Sequence, residues 1–153
     1  MADSFLDRGD FVTTAVKLKK ATFKHIESEL YSYKDTLKEI EQLRKDIMFT
    51  KENDDENIGG GRSSFISSPT ERIATRLVTH KRLNKLEEVA HAIEKVYTGL
   101  PEDYQKLVRL KYWTRPQLKT WDGIAEEIPV SRRTAFNMRD EIVHAIGEVL
   151  GWR

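Results

Sequence analysis

The chain has 153 residues, a third of them charged, with a net charge of +1 at pH 7 and no cysteine. The absence of cysteine excludes disulfide bonds, cysteine-based zinc or iron–sulfur sites and a thiol nucleophile. No stretch reaches about eighteen consecutive apolar residues, and the N-terminal M-A-D-S-F-L-D-R lacks the blocks of a signal peptide, so we expect a cytoplasmic protein without a membrane partner.

The N-terminal part of the chain predicts one long helix after a mobile start. Residues 1–10 are short, mixed and unpatterned. From 11 to 50, apolar residues recur at alternating spacings of three and four, which is typical of an amphipathic helix with coiled-coil character. These residues are Phe23, Ile26, Leu30, Tyr33, Leu37, Ile40, Leu43 and Ile47.

A cluster of lysines lies near the start of this helix, where positive charge opposes the helix dipole. A contact with phosphate would explain the cluster. A solvated face is the alternative, because charge runs usually serve solubility. The lysines, which we take as secondary candidates for a binding surface, are Lys17, Lys19, Lys20 and Lys24.

Residues 51–70 predict a linker, because three consecutive glycines, four serines and a proline interrupt the helical pattern. From 71 to 100 the pattern predicts a second long amphipathic helix that serves oligomerisation. Two such helices must bury their stripes within the chain, between chains or both, so we expect a homodimer or a higher homo-oligomer. Further secondary candidates near the start of this helix are Arg72 and Arg76.

The histidines do not predict a metal site. His80 falls on the apolar seam of the second helix, and the other three are scattered along the chain without ligand spacing. We therefore expect His80 to be packed in the core. We predict no metal, no cofactor and no small-molecule substrate.

Residues 101–153 predict a helix followed by a helix-turn-helix, the geometry of a DNA-binding domain. Thr120 offers an N-cap for a short helix that Pro129 ends, and Ser131 offers an N-cap for a longer one. The short helix has an apolar edge formed by Ile124, Ala125 and Ile128. The longer helix has a stripe formed by Ala135, Met138, Ile142, Ala145, Ile146 and Leu150.

Polar residues off this stripe are the candidate DNA contacts. In the major groove, arginine binds guanine bidentately and asparagine binds adenine bidentately, and groups at a helix N-terminus bind phosphate. The alternative is an ordinary helical hairpin with solvated arginines. The candidate contact residues are Thr120, Ser131, Arg132, Arg133, Thr134, Asn137 and Arg139.

The C-terminal patterns L-P-E-D-Y-Q-K-L-V-R-L-K-Y-W and W-D-G-I-A-E-E-I-P-V-S-R-R-T-A-F-N-M-R-D-E-I-V resemble region four of bacterial sigma factors. Nearly the whole chain resembles the RinA-type phage transcriptional activators, through K-L-K-K-A-T-F-K-H-I-E-S-E-L-Y-S-Y, L-R-K-D-I-M, N-I-G-G-G-R and S-R-R-T-A. This resemblance implies a protein that binds double-stranded DNA and activates phage late packaging and morphogenesis genes with host RNA polymerase. It also places Arg132, Arg133 and Asn137 where region four contacts bases, and adds polymerase as a partner for the secondary candidates.

The chain departs from the sigma pattern around its proposed reading helix. Arg139 stands where sigma factors commonly carry an acid, and Phe136 stands where they commonly carry a base-contacting arginine. Pro129 replaces the glycine of many helix-turn-helix turns. The target sequence of sigma factors therefore does not carry over.

Two other functions fit the sequence. A phage small terminase subunit also combines helical oligomerisation with helix-turn-helix DNA recognition, and a helical adaptor would bind proteins and never DNA. An enzyme is disfavoured, because I-G-G-G-R lacks the Lys-Ser or Lys-Thr of a phosphate-binding loop and no H-E-x-x-H or paired-carboxylate signature occurs. The expected architecture is all-α, with two long amphipathic, coiled-coil-like helices before a sigma region four-like domain.

Overall fold

The computed structural model describes residues 17–49 and 69–153, and within these ranges all regular structure is helical. The elements are α1 (Lys20–Phe49), α2 (Pro69–Thr79), α3 (Lys81–Gly99), α4 (Glu102–Val108), a π-helical turn (Arg109–Trp113), α5 (Trp121–Glu127) and α6 (Arg132–Leu150). The all-α prediction is therefore confirmed. The predictions for 1–10 and for most of the 51–70 linker lie outside the described residues. Among the described residues, no helical segment combines the length and the hydrophobicity of a membrane span.

Helix α1 begins later than the sequence pattern predicted. Its first residue is Lys20 rather than a residue near position 11, and residues 17–19 are described and not helical. Leu18 is buried against Gly147 of α6. This contact holds the chain immediately before the start of α1.

The predicted second long helix, 71 to 100, is two helices that meet at His80. The backbone of His80 is extended, and its Nδ1 accepts a hydrogen bond from the Leu83 N–H at 3.1 Å. Asn84 Nδ2 donates to the Val78 carbonyl oxygen at 2.7 Å, which satisfies a group at the end of α2. His80 is therefore the N-cap of α3 rather than a packed seam residue.

Helix α1 packs along α3 and α6 and against the π-helical turn. Ile26 and Leu30 of α1 share one buried cluster with Ile93 of α3 and Ile146 of α6. The N-terminal helix and the C-terminal helices therefore share a core.

A smaller cluster near the other end of α1 joins it to α2 and α3. Its buried members are Ile40, Ile47, Leu83 and Ala90, and Leu77 of α2 packs against them. Much of the apolar stripe of α1 is thus covered within the chain, which is one of the three arrangements that the sequence allowed. Self-association stays a prediction, and Leu37 and Phe49 remain exposed.

The π-helical turn connects the C-terminal helices to α1. Tyr112 Oη donates to Glu27 Oε1 at 2.7 Å, and Trp113 Nε1 donates to the Leu30 carbonyl oxygen at 3.2 Å. The Trp113 ring also stacks on Tyr33 of α1, with 5.0 Å between centroids. Tyr112 and Trp113 thus bind α1 through their polar atoms while they belong to the same buried cluster as α5 and α6.

Candidate nucleic-acid interface

The segment from Thr120 to Leu150 forms a short helix, a tight connection and a longer helix. Thr120 Oγ1 accepts from the Gly123 N–H at 3.2 Å, so Thr120 is the N-cap of α5. Ser131 Oγ accepts from the Thr134 N–H at 3.1 Å, so Ser131 is the N-cap of α6. Both predicted caps are present, because each depends only on residues within one turn.

The inner faces of α5 and α6 are buried in the common core. From α5 and its end, Ile124, Ala125 and Ile128 are buried. The connection is closed by the Val130 N–H, which donates to the Ala125 carbonyl oxygen at 3.0 Å. From α6, the buried residues include Ala135, Met138, Ile142, Ala145 and Ile146. This burial fixes which side of α6 is left facing outward.

The outward side of the first turns of α6 carries four of the predicted contact residues: Arg132, Arg133, Thr134 and Asn137, all exposed. Within the described ranges, the Arg133 and Asn137 side chains make no hydrogen bond or ion pair, and they lie four residues apart on one face. Arg132 Nε is 3.7 Å from Asp122 Oδ1, and the two side chains are 61% and 66% exposed. An ion pair this open is worth little, so Arg132 is available to a ligand.

Arg139 is placed differently from the other predicted contacts. Its side chain is only 23% exposed, and Nε and Nη2 donate to Asp140 Oδ1 at 3.0 and 2.8 Å. Its Cζ lies 4.9 Å from the centroid of Phe136 and 5.7 Å from that of Trp121. The guanidinium is therefore engaged within the chain, because aromatic rings on neighbouring elements surround it.

An aromatic and cationic cluster that the sequence analysis missed lies beside this face. Trp121 and Phe136 pack with 4.7 Å between centroids, and Lys111 Nζ lies 4.9 Å from the Trp121 centroid. Phe23 of α1 joins the cluster through Arg139, whose Cζ is 5.2 Å from its centroid. No local pattern could have revealed the cluster, since its members come from four different parts of the chain.

Helix α4 is held against α5 and α6 by polar contacts. Tyr104 Oη donates to Glu141 Oε2 at 2.6 Å, and Lys106 Nζ donates to the Glu127 carbonyl oxygen at 2.8 Å. Partial burial, followed by the hydrogen bond and the charge of Glu141, raises the pKa of Tyr104 well above its usual range. This phenol is therefore a donor at neutral pH, and α4 supports the geometry of α6.

The secondary candidates fall at two distant places. The lysines at positions 17, 19, 20 and 24 are exposed around the start of α1. Arg72 and Arg76 belong to α2, which packs near the other end of α1, a helix of 30 residues that is about 45 Å long. The structure brings only the lysines near α6. Among the described residues, no group of three or more His, Asp or Glu side chains is arranged to hold a metal ion.

Comparison with known proteins places the chain in a family. The chain is 29% identical over 134 residues to the "Transcriptional activator rinA" of Staphylococcus phage phi11, covering 88% of this chain and 94% of that protein. No solved structure matches it significantly. The family described as "Protein of unknown function (DUF722)" matches residues 23–148, which extend from the first turn of α1 to near the end of α6. The resemblance to RinA-type activators is thus confirmed, and the chain belongs to this family.

Proposed function

We propose that this protein is a sequence-specific DNA-binding transcriptional activator that inserts the first turns of α6 into the major groove. The observation that carries the proposal is the exposed polar face of α6, whose opposite face is buried and whose N-terminus is capped by Ser131. A helix fixed in this way presents donors to base edges without reorganising its own core. The activator name of the phi11 relative supports the same function.

Each exposed residue has a chemical role in this proposal. Arg132 and Arg133 carry guanidinium groups that bind guanine bidentately, and Asn137 carries an amide that binds adenine bidentately. Ser131 and Thr134, whose hydroxyl oxygens are 2.9 Å apart, lie at the N-terminus of α6 where a phosphate is favoured. Thr120, at the start of α5, is the matching phosphate contact on the other side of the connection.

We further propose that the protein acts with host RNA polymerase at phage late promoters and as a homo-oligomer. The relative is a phage protein named as a transcriptional activator, and an activator must ultimately affect polymerase. Exposed apolar residues on α1 and α2, namely Leu37, Met48, Phe49 and Val78, offer area for self-association. A second copy would also supply a second reading helix, as most two-fold operators require.

The test is selection of bound fragments from the genome that encodes this chain, followed by footprinting and titration on the selected site. Asn137→Ala and Arg133→Ala should each lose about 1 to 3 kcal/mol of binding free energy and relax preference at one base position. Lys95→Ala, an exposed change on α3, is the matched control and should leave both properties unchanged. Absence of any preferred fragment, or unaltered footprints in both variants, would refute the proposal.

A further inference from the structure

Lys20 and Lys24 form a basic edge in the first turns of α1. Both are exposed, and they lie one turn apart on the same side of the helix. Within the described residues, no carboxylate lies within ion-pair distance of either one. Two positive charges so close on a helix start oppose the dipole as well as each other, so the sequence retains them at a cost in stability.

The side of α1 that carries these lysines continues through Glu27 and Tyr31 toward the C-terminal helices. Glu27 accepts the Tyr112 hydrogen bond, and the Tyr31 ring lies 4.7 Å from the Tyr112 ring. Lys111 Nζ lies 5.8 Å from the Tyr31 centroid and also contacts Trp121 at the start of α5. The lysine side of α1 therefore faces the same side of the molecule as the start of α5.

The side of α1 that carries His25 faces a different part of the molecule from the side that carries Lys20 and Lys24. His25 stacks on Trp152 after the end of α6, with 5.0 Å between ring centroids. Lys85 of α3 lies over the same indole, with Nζ 5.4 Å from its centroid. Residues on this side of α1 are thus turned toward α3 and the chain end.

The position of α1 relative to α6 is fixed by a stack of side chains. A single guanidinium, that of Arg139, separates Phe23 of α1 from Phe136 of α6. Leu18 and Ile26 close the same junction, because their methyl groups would lie only 3.0 to 3.1 Å from a Cβ at Gly147. The backbone that carries the lysines is therefore packed against α6, so their distance from the exposed first turns of α6 is fixed.

We propose that Lys20 and Lys24 are a second DNA-contacting element, which binds the phosphate backbone of the duplex whose major groove receives α6. The inference rests on the proposed function and adds a surface to it. Phosphates line both edges of the major groove, so a basic edge held beside a groove-bound helix meets backbone rather than bases. Lysine suits this role, because its ammonium is a flexible point charge that binds phosphate without a fixed planar geometry. The contact would contribute affinity and salt dependence but no sequence preference.

The experiment compares Lys20→Gln/Lys24→Gln with Lys38→Gln/Lys95→Gln, which removes the same charge from exposed positions outside the proposed surface. Binding is titrated between about 50 and 200 mM salt on the selected duplex and on a shuffled duplex of equal length. The first variant should lower the slope of log affinity against log salt by about 2 and weaken binding to both duplexes on the order of 10-fold. The ratio of the two affinities should not change, and the control should match the unmodified protein.

Each result has a defined meaning. If the unmodified protein prefers the selected duplex but the Lys20/Lys24 variant keeps its slope, the inference is overturned while the proposed function stands. An equal loss in the control variant also overturns it, since the effect is then one of general charge. If the unmodified protein shows no preference between the duplexes, the proposed function fails and the inference falls with it. Lys20→Arg/Lys24→Arg, which retains both charges, should restore the slope.

Discussion

Arg139 of α6 stacks on Phe23 of α1, with its Cζ 5.2 Å from the ring centroid, although the two residues are far apart in the chain. The same guanidinium contacts Phe136 and Trp121 and donates to Asp140. Arg139 therefore joins α1, α5 and α6 at one point. We propose a positioning role for Arg139 in place of the DNA contact that the sequence predicted, because its Nε and Nη2 donate to Asp140 and three aromatic rings lie within 5.7 Å of its Cζ.

Arg139→Ala should reduce the free energy of unfolding by about 1 to 3 kcal/mol, since it removes packing from three rings and leaves Asp140 without its donor. Arg133→Ala should change the same quantity by no more than about 0.5 kcal/mol, because that side chain is exposed. Denaturant unfolding measures both. The two variants should also differ in DNA binding. Arg133→Ala should relax the preference for one base, whereas Arg139→Ala should lower the affinity evenly across DNA sequences. A stable Arg139→Ala protein with relaxed preference at one base would restore the original assignment.

Ser131 caps α6, and we propose that it also binds a DNA phosphate. Two substitutions separate these roles. Ser131→Ala removes the acceptor for the Thr134 N–H and should cost about 1 kcal/mol of stability. Ser131→Asp keeps a capping oxygen and adds favourable charge at the helix N-terminus, so stability should be retained. The added charge repels phosphate, so Ser131→Asp should bind DNA more weakly than Ser131→Ala does. Thermal melts and DNA titrations give the two quantities, and tighter binding by the aspartate variant would argue against a phosphate at this position.

Gly147 of α6 allows α1 to approach closely. A Cβ at this position would lie 3.0 Å from Leu18 Cδ2 and 3.1 Å from Ile26 Cδ1, in a buried junction. Gly147→Ala should therefore be less stable than Gly123→Ala by about 1 to 3 kcal/mol, because crowding at the junction opposes the gain in helix propensity that both substitutions bring. Gly123→Ala is the matched control, because its Cβ would meet only Thr120 Oγ1 at 3.7 Å, and it should be neutral or stabilise by up to about 1 kcal/mol. Equal stability of the two variants would show that α1 and α6 are not so closely packed.

Tyr112 makes stability sensitive to alkaline pH. Burial, followed by the charge of Glu27 and its hydrogen bond, raises the pKa of the Tyr112 phenol far above its ordinary value of 10.0. Above that ordinary value, the unfolded chain loses the proton while the folded chain retains it, so stability falls as the pH rises past about 10. Below it, both states keep the proton and this contribution is fully present.

The Tyr112→Phe variant tests this relation. At neutral pH it should lose roughly 1 to 2 kcal/mol, because Glu27 loses a charge-assisted hydrogen bond at a buried junction. Between about pH 9 and 11, its stability should decline less than that of the unmodified protein. Denaturant unfolding at a series of pH values measures the difference. Parallel pH profiles for the two proteins would mean that the Tyr112 proton is not retained on folding.

The sequence by itself determined the features that depend on neighbours within one or two turns. The caps at Thr120 and Ser131 follow from hydroxyls placed before free backbone N–H groups. The buried stripe of α6 follows from apolar residues at helical spacing, and the exposed positions of Arg133 and Asn137 follow from that stripe. The all-α class and the family resemblance rest on the same local patterns.

Only the tertiary structure decided where distant segments meet. By spacing alone, Arg133 and Arg139 are both cations that lie off the apolar stripe of α6. Arg133 stays exposed, whereas Arg139 is packed because Phe23 of α1 approaches it. The break between α2 and α3 likewise depends on the His80 imidazole, which caps α3. No proline or glycine lies beside it to mark a helix end in the sequence. The shared core of α1 and α6 depends on Leu18 and Ile26 meeting Gly147. In each case the free energy comes from contacts between residues that periodicity cannot relate, because packing between helices depends on the shapes of both surfaces.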